Sequence, residues 1–563
     1  MNNIRLFLWL TLAGMAWLTY TAWTADYGAR NPVNPPVTAQ QPGTPTNDVP
    51  RGTPSSGSQP PGQPPPQQAA ATTGELIHVR TDVLDLQIAS QGGDLVRADL
   101  LQYPVDKDVP DHLVRLLDES GPTRWVFQSG VSSAVGGAEP THLGTFRSAN
   151  DEYVLAPGQD ELVVTLDWVS DGPISARKTY TFRRGRYDVS LNMTVSPAAG
   201  GSWQGTPYVR MERLHTPAKR SYTSPDSYSF KGPVLYNGDS FERIKFDDLV
   251  GAPETQKDVK GGWFASIQHH FLAAAVPPSD AVYNYEATAR GSIGADGQPS
   301  TDTGVFVLTA VGPTTDVNAA MPLSTTFTLF VGPKLQAQLQ EVGGDLERTV
   351  DYGWTTVLAQ PLFTVLDWVH SWVNNWGFAI ILVTILIKAV FYKLTAMSGR
   401  SMAKMRKIGP RMKALQERYK DDREGLSKAM MELYKKEKVN PAAGCLPILI
   451  QMPFFFAFYW VLVESVEMRQ APFALWLQDL SAHDPFYVLP ALMAAAMFFQ
   501  TRMSPAPPDP VQARMMQIMP LVFAAFLVVF PAGLVLYQLT NTSLSILQQW
   551  RINKIVARES AAT

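Results

Sequence analysis

Residues 376–393 have the sequence WGFAIILVTILIKAVFYK, an almost unbroken apolar helix with Thr384 and Lys388 inside it. A lysine at the centre of a bilayer costs about 2.5–3.5 kcal/mol, so a membrane segment rarely carries one without a use or an escape route. The two polar residues are four apart and therefore lie on one face of the helix. Lys388 lies five residues before Lys393, so its ammonium group either reaches toward the membrane surface or serves a function within the bilayer. The stretch predicts a spanning helix that carries a cation.

The composition excludes several classes of protein. The 563 residues are too many for one domain, and 47 basic against 50 acidic residues give no overall positive charge, so no specific nucleic acid sequence is expected as a partner. The single cysteine, Cys445, excludes an intramolecular disulfide and a metal site made of several cysteines. The chain has no Gly-Lys dipeptide and no H-E-x-x-H or G-x-S-x-G motif. We therefore expect no cofactor, no metal and no enzymatic activity.

The N-terminal part changes character at about residue 25. Residues 1–25 contain one arginine followed by mostly apolar residues. They predict an uncleaved transmembrane anchor, with a cleaved signal peptide as the alternative. Residues 26–74 predict a Pro-rich disordered linker, since twelve prolines fall between residues 31 and 73 and little in the segment can be buried.

Residues 75–334 have the pattern of an all-β sandwich. Apolar and polar residues alternate in runs such as YDVSLNMTV (187–195), and clusters of Gly, Pro and Asp separate these runs. The run WFASIQHHFLAAAV (263–276) resembles one strand, which would place His269 and His270 on opposite sides. The two histidines are therefore predicted to be structural or surface residues, not ligands of one metal.

The C-terminal part predicts membrane helices joined by loops. An interfacial amphipathic helix is expected over 350–375, where aromatic and apolar residues recur at helical spacing. Five spanning helices follow and make six with the N-terminal anchor; transmembrane helices 2 to 6 are predicted at 376–394, 444–465, 486–502, 516–530 and 532–550. The segments between and after them are a cytoplasmic helical hairpin at 395–443, a periplasmic loop at 466–485, a cytoplasmic loop at 503–515 and a cytoplasmic tail at 551–563.

Charge sets the predicted orientation of these helices. Residues 394–443 contain thirteen Lys and Arg against six Asp and Glu, whereas 466–485 contain one Arg. By the positive-inside rule the first segment is cytoplasmic and the second lies outside. Both termini are then cytoplasmic, and the β domain lies outside the membrane, which is the periplasm in a double-membraned bacterium.

Polar residues recur inside the predicted spans. The last span carries a stripe at spacings of three to four, formed by Gln538, Asn541 or Thr542, Ser545 and Gln549. Gln451 lies within the apolar run ILIQMPFFFAFYW. Such residues either join helices by hydrogen bonds, often worth only about 0.6 kcal/mol each, or line a shared hydrated cavity together with Lys388 and Thr384.

The predicted cytoplasmic hairpin has an apolar, methionine-rich side and a basic side. The methionines of interest are Met402, Met405, Met412 and Met430, and the neighbouring cations are Arg406, Lys407 and Arg411. The methionines either pack the seam between the two helices or offer an adaptable apolar surface to varied partners. The cations contact lipid head groups or ribosomal RNA, or simply enforce topology.

Several long stretches resemble the YidC/Oxa/Alb family of membrane insertases. They are NWGFAIILVTILIK (375–388), SMAKMRKIGPRMKALQERYK (401–420), LYKKEKVNPAAGCLPILIQMPFFFAFYWVL (433–462), VEMRQAPFALWLQDLSAHDP (466–485) and FPAGLVLYQLTN (530–541). The resemblance is close over about 350–550, and the anchor, linker and β domain are similar to the Gram-negative form in layout. It implies a five-helix core around a hydrophilic groove that is open to cytoplasm and lipid and closed toward the periplasm.

The resemblance also implies roles for particular residues. Lys388 matches the positively charged groove position, where the family usually has Arg, and Thr384 matches a second groove position. Gln538 stands where better-known members carry a second consecutive Tyr, after Tyr537. Lysine keeps the charge but loses the bidentate geometry of arginine. The groove of this chain is therefore expected to keep the charge and to be more polar at Gln538.

The function implied is insertion and folding of inner-membrane proteins without ATP hydrolysis, alone or with the Sec translocon. The partners implied are nascent membrane proteins, the Sec translocon and its accessory proteins, the ribosome and membrane lipids. The family's β domain resembles sugar-binding sandwiches and is not expected to be catalytic. The alternative is a secondary transporter that uses an intramembrane lysine, although such proteins typically show internal repeats, and none is evident here.

Overall fold

The computed structural model has two compact units, one that ends at Asp351 and one that begins at Tyr352. The structure describes residues 49–50, 75–120, 123–133, 139–170, 172–198, 201–215, 217, 229–293, 299–419, 422–437, 439, 446–503 and 510–561. The predicted anchor at 1–25, nearly all of the linker at 26–74, and Cys445 lie outside the described residues.

The first unit is a sandwich of two sheets. Its strands, in chain order, are β1 Leu76–Arg80, β2 Leu84–Ala89, β3 Asp94–Asp106, β4 Val109–Leu117, β5 Trp125–Ser132, β6 Phe146–Ser148, β7 Glu152–Val154, β8 Glu161–Trp168, β9 Ile174–Arg183, β10 Asp188–Pro197, β11 Ser202–His215, β12 Lys231–Tyr236, β13 Phe241–Arg243, β14 Glu254–Lys260, β15 Trp263–Gln268, β16 Phe271–Val276, β17 Val282–Ile293, β18 Pro299–Val311, β19 Thr315–Asn318 and β20 Leu323–Pro333. Two short helices, α1 Phe246–Gly251 and α2 Gln336–Val342, complete it. The prediction of an all-β sandwich is confirmed.

The two sheets have different strand orders. One runs β14-β17-β18-β11-β5-β3-β2-β1-β7, with β4 paired to β3 and β19 to β11, and the other runs β13-β12-β15-β16-β20-β10-β9-β8-β6. The pairs are antiparallel except β1 with β7. Strand β10 shows why the sequence folds this way, since Val189, Leu191, Met193 and Val195 are buried at every second position.

The paired histidines are not in one strand, as the sequence pattern suggested. They form the two-residue turn between β15 and β16, whose register pairs Gln268 with Phe271. His269 has a φ of 48°, and the two imidazole rings stack with centroids 3.7 Å apart. Tight hairpin turns usually contain Gly, Asn or Asp. The strand prediction was wrong here because two histidines do not carry that signal. In the described part of the chain, no group of three or more His, Cys, Asp or Glu is placed to hold a metal.

A lysine crosses the interior of the sandwich. Lys178 of β9 is 2% exposed, and its ammonium group donates to the other sheet at Gly92 O (2.5 Å), Asp94 Oδ1 (3.2 Å), Ser129 O (2.9 Å) and Ser129 Oγ (2.7 Å). Burial raises the pKa of Asp94 to about 6 against the opposing charge of Lys178. The buried cation is thus fully hydrogen-bonded, which is the condition for keeping a charge in a core.

The second unit is helical. Its helices are α3 Thr356–Val373, α4 Trp376–Val390, α5 Tyr392–Arg418, α6 Arg423–Lys436, α7 Leu446–Glu464, α8 Val488–Met503, α9 Pro510–Leu527 and α10 Ala532–Ala561. Helix α10 packs against α4, α5, α7 and α8, so it is the central element of the described part. Asn375 caps α4 by accepting from the backbone nitrogen of Phe378 at 3.1 Å.

The helix ends differ clearly in three places from the boundaries expected from the sequence. Helix α9 runs from Pro510 to Leu527, although a loop was expected over 503–515 and a span over 516–530. Helix α4 ends at Val390 and α5 begins at Tyr392, with the two axes 70° apart, although one span was expected over 376–394. Helix α10 continues through the expected tail to Ala561, because Ile552 and Val556 are buried in a cluster with Ala403 of α5.

Within the described residues, no single helix has both the length and the apolar composition needed to cross a membrane. The bent pair Trp376–Val390 and Tyr392–Arg418 meets that criterion jointly. The count of six spans stays a prediction.

Candidate functional site

The polar stripe of α10 contacts α4 through Lys388. Lys388 Nζ donates to Ser545 Oγ at 2.7 Å, and Ser545 Oγ in turn donates to the backbone oxygen of Asn541 at 2.7 Å. Lys388 is half-buried, and no carboxylate of the described residues lies within ion-pair distance of its ammonium group. Its charge is therefore held by an uncharged partner and not neutralised by an acid of the described chain.

The same stripe contacts α7 through Gln538, about two turns before Ser545 along α10. Gln451 Nε2 donates to Gln538 Oε1 at 2.9 Å, and both side chains are half-buried. Beside this bridge, the rings of Phe458 and Tyr537 stack with centroids 4.2 Å apart. Helices α4 and α7 are thus both hydrogen-bonded to one helix, α10.

The remaining predicted groove residues are buried. Thr384 is 1% exposed and donates to the carbonyl oxygen of Ile380 in its own helix at 2.6 Å. Asn541 is 3% exposed and Thr542 is 4% exposed. The structure therefore brings Lys388, Ser545, Gln451 and Gln538 together in two bridges, and it places Thr384 inside the helix packing instead of on an open surface.

The hydrogen bonds that join α10 to α5 were not predicted from the sequence. Gln548 Nε2 donates to Thr395 Oγ1 at 2.9 Å, and Gln549 Nε2 reaches the carbonyl oxygen of Gly399 at 3.4 Å. A side chain at Gly399 would overlap Ile552, so this glycine permits the close approach of the two helices. The signal available in the sequence was the widening of the stripe to two consecutive glutamines at 548–549.

The hairpin of α5 and α6 places the predicted methionines in different settings. Met412 is buried in a cluster with Ile408 and Val439, and Met405 and Met430 pack against that cluster, while Met402 is half-buried outside it. Three of the four methionines therefore lie at the seam between the two helices.

The basic residues of the hairpin lie outside that seam. Arg406 is exposed, Lys407 Nζ donates to the Val556 carbonyl oxygen at 3.3 Å, and Arg411 pairs with Glu437 at 2.6 Å. They form an exposed basic side, of which Lys407 also contacts α10.

The hydrogen bonds of the candidate site involve uncharged polar groups and a single cation. They join amides, hydroxyls and one ammonium group, and none of the predicted groove residues is a carboxylate or histidine that could act as a general base. An arrangement of this kind can hold polar groups away from lipid and present one positive charge.

Two family models match the chain. One, described as the 60Kd inner membrane protein, covers residues 368–559, and the other, described as the YidC periplasmic domain, covers residues 76–365. Among the relatives, the membrane protein insertase YidC of Thioalkalivibrio sulfidiphilus is 44% identical over 99% of both chains, and that of Methylococcus capsulatus is 42% identical over 100% of both. A solved structure described as an active YidC insertase covers 85% of this chain and 92% of its own, at 18% identity and a TM-score of 0.38.

The matches define a class, that of inner-membrane proteins with a β-sandwich periplasmic domain and a helical C-terminal region that insert other proteins and are not enzymes. At this identity over the whole length, the chain belongs to the YidC family of membrane protein insertases.

Proposed function

We propose that this insertase guides its clients along a hydrophilic groove whose back wall is α10 and whose sides are α4 and α7. The observation that carries the proposal is the ammonium group of Lys388, which is half-buried and has the Ser545 hydroxyl as its partner at 2.7 Å. A charge at such a position marks a path for polar groups, because lipid offers it no solvation. The two bridges to α10 supply the polar lining that the charge needs.

The energy for insertion comes from the client. A helix of Leu-like residues gains about 0.3–0.6 kcal/mol per residue on insertion, so several kcal/mol are available without ATP. The obstacle is the polar flank, which has to cross about 30 Å of hydrocarbon. A groove lined by amides and hydroxyls shortens the dry part of that path and so lowers the barrier without changing the driving force.

Lys388 supplies a transient partner to acidic groups of the flank. The membrane potential adds about 2.3 kcal/mol per negative charge per 100 mV in the outward direction. Lysine presents a compact point charge on a flexible stem, whereas arginine presents a planar fork. The role therefore depends on the charge at this position and not on a bidentate geometry.

The Gln451–Gln538 bridge has to open when a client occupies this part of the groove. Hydrogen bonds between membrane helices average about 0.6 kcal/mol, so a client amide can replace one partner at little cost. Gln538 makes this groove more polar than one with an aromatic residue at the same position, which favours clients with amide-rich or hydroxyl-rich flanks.

We place the chain in the bacterial inner membrane with six spans, both termini cytoplasmic and the β domain periplasmic. The unequal distribution of Lys and Arg between residues 394–443 and 466–485 supports this orientation. The basic side of the hairpin, with Arg406, Lys407 and Arg411, is the proposed contact for the ribosome and for lipid head groups, and Met402 is its apolar candidate. Cooperation with the Sec translocon and its accessory proteins belongs to the same proposal.

The test is site-specific crosslinking to a stalled ribosome carrying a nascent single-span membrane protein. Single cysteines replace Gln538 and Ser545, both half-buried, in a Cys445→Ala background. Leu547→Cys is the matched control on α10, at a position that is 60% exposed, and Leu386→Cys is a second control on the neighbouring α4, at a position that is 49% exposed. We expect adducts at Gln538 and Ser545 that appear when the client helix leaves the ribosome, and fewer at the controls.

Equal adducts at all four positions would indicate contact through lipid and would overturn the groove. No adducts at any position, with a protein that still supports growth, would favour the alternative of a transporter that uses Lys388. An uptake assay in vesicles would then be the decisive measurement.

A further inference from the structure

The carboxamide of Asn541 is an unpaired donor in the middle of the polar stripe. The residue is 3% exposed, its Nδ2 atom is fully buried, and no hydrogen bond from the described residues reaches that atom. A buried donor without an acceptor is destabilising, because the hydrogen bond that it makes with water in the unfolded chain is not replaced. Native proteins rarely keep such a group unless it has another use.

The neighbouring polar groups do not supply the missing acceptor, because they bond elsewhere. Ser545, one turn further along α10, accepts from Lys388 and donates to the backbone oxygen of Asn541. Gln538, one turn earlier, accepts from Gln451. Thr384 of α4 donates to its own helix. The free donor of Asn541 thus lies between two occupied bridges, at the depth where α10 faces Lys388.

An acceptor from outside the chain would satisfy this donor. A polar flank that passes through the groove in an extended conformation leaves its backbone carbonyl oxygens without the hydrogen bonds of a helix. In a medium without water those oxygens need donors from the protein. A carboxylate gains most from the single ammonium group of Lys388, because both partners are then charged. Uncharged carbonyl oxygens of the flank are left to the amide donor.

We infer that Asn541 is a client-binding residue that donates a hydrogen bond to uncharged carbonyl oxygens of the client's extended polar flank. This inference rests on the proposed groove. It divides the groove between two functions: Lys388 binds charged groups of the flank, and Asn541 binds its backbone and amide oxygens. The groove therefore accepts flanks that contain no acidic residue at all.

The test compares insertion with stability in Asn541→Leu, in the full-length protein reconstituted in liposomes. Leucine branches at the same carbon as asparagine, removes the donor and leaves no unpaired polar group. We expect insertion of a client whose flank carries Asn, Gln and Ser but no acid to slow about fivefold, the equivalent of about 1 kcal/mol for one hydrogen bond. The midpoint of thermal unfolding should rise, because the unpaired donor is gone.

Two further variants control the comparison. Ser543→Leu makes a similar change from polar to apolar on the same helix, at an exposed position outside the stripe, and should leave insertion unchanged. Asn541→Gln keeps the donor and should retain most of the insertion rate. A fall in both insertion and thermal midpoint for Asn541→Leu would assign the residue to packing and overturn the inference.

The same data show whether the client or only water accepts the hydrogen bond from Asn541. A higher thermal midpoint with unchanged insertion would mean that only water uses the donor, and the inference would be wrong. Lys388→Ala with an acid-flanked client serves as the reference for the groove itself. If that variant slows insertion while Asn541→Leu does not, the groove stands and the inference fails; if neither has an effect on its client, the proposed groove fails as well.

Discussion

Each unit of this protein holds a lysine away from water, and the two differ in what surrounds them. Lys178 in the sandwich is 2% exposed and donates to the two oxygens of Ser129, one carbonyl and the carboxylate of Asp94. Lys388 in the helical unit is half-buried and has one uncharged partner, Ser545. A saturated cation fixes the packing of its surroundings, whereas an unsaturated one keeps binding capacity for another molecule. The contrast predicts a structural role for Lys178 and a functional role for Lys388.

The largest effect is expected when the saturated lysine is removed. Lys178→Met leaves Asp94 buried without its partner, which should lower the free energy of unfolding of the sandwich by about 3–5 kcal/mol. Pulse proteolysis of the full-length protein in urea measures this change. Lys257→Met, at an exposed position of β14, is the matched control and should change it by less than about 0.5 kcal/mol. The double variant Lys178→Met, Asp94→Leu should recover part of the loss, and a double variant worse than the single one would contradict this account.

A second effect is the pH dependence of the free energy of unfolding, which is expected for the sandwich alone. His142 is 3% exposed with Nδ1 2.6 Å from the hydroxyl of Tyr208, and burial, helped by the charges of Arg210 and Lys178, lowers its pKa to about 3. Since the folded pKa lies below the unfolded value of about 6.5, protonation favours the unfolded state. This contribution is complete above pH 6.5 and is lost as the pH falls toward 3, by about 2 kcal/mol at pH 5.

The measurement is urea unfolding of the sandwich at pH 7.5, 6 and 5 in the parent protein and in His142→Gln. The variant removes the histidine titration, so its loss of stability between pH 7.5 and pH 5 should be smaller than that of the parent. Parallel pH profiles for the two proteins would mean that His142 has the same pKa in the folded and unfolded states.

The third prediction concerns the unsaturated lysine, where function should change more than stability. Lys388→Ala should slow insertion of clients with acidic flanks about tenfold, the equivalent of about 1.4 kcal/mol, and Lys388→Arg should retain insertion because it keeps the charge. Complementation of a depleted strain and insertion rates in liposomes check both. Equal complementation by the two variants would count against a role for the charge.

The smallest effect is expected at the amide bridge. A double-mutant cycle with Gln451→Leu and Gln538→Leu should give a coupling free energy of about 0.6 kcal/mol for the 2.9 Å hydrogen bond between them. Thermal unfolding of the four proteins in one detergent provides it. A coupling of several kcal/mol would make the bridge as rigid as the Lys178 network, and the contrast between the two units would disappear.

The sequence allowed the sandwich to be predicted because the signal is local. The alternation of Val189, Leu191, Met193 and Val195 is visible in the chain and is the burial pattern of β10. The turn at His269 and His270 could not be predicted, since the left-handed conformation of His269 is imposed by the pairing of β15 with β16. Lys178 was also missed, because its partners on β3 and β5 are 49 and more residues away in sequence.

The candidate site was predictable in its members and less so in its geometry. Periodicity put Gln538 and Ser545 on one face of α10, but the choice of Gln451 and Lys388 as their partners depends on helix packing. Thr384 faces packed protein although it shares a face with Lys388, because burial depends on the neighbouring helix and not on spacing alone. The roles of these residues in binding clients stay predictions.

Because α10 is one continuous helix, the direction in which Gln538 points fixes the direction in which Ile552 points. Gln538, Ser545 and Ile552 are seven residues apart and so lie nearly in one line along a single rod, the first facing α7, the second α4 and the third α5. One line of side chains is thus polar at one end and apolar at the other. Inserting a single residue between Ser545 and Ile552 would turn one end by about 100° relative to the other. The Gln451–Gln538 hydrogen bond and the packing of Ile552 against α5 could then not both form. The number of residues between these two contacts is therefore constrained, as well as their identity.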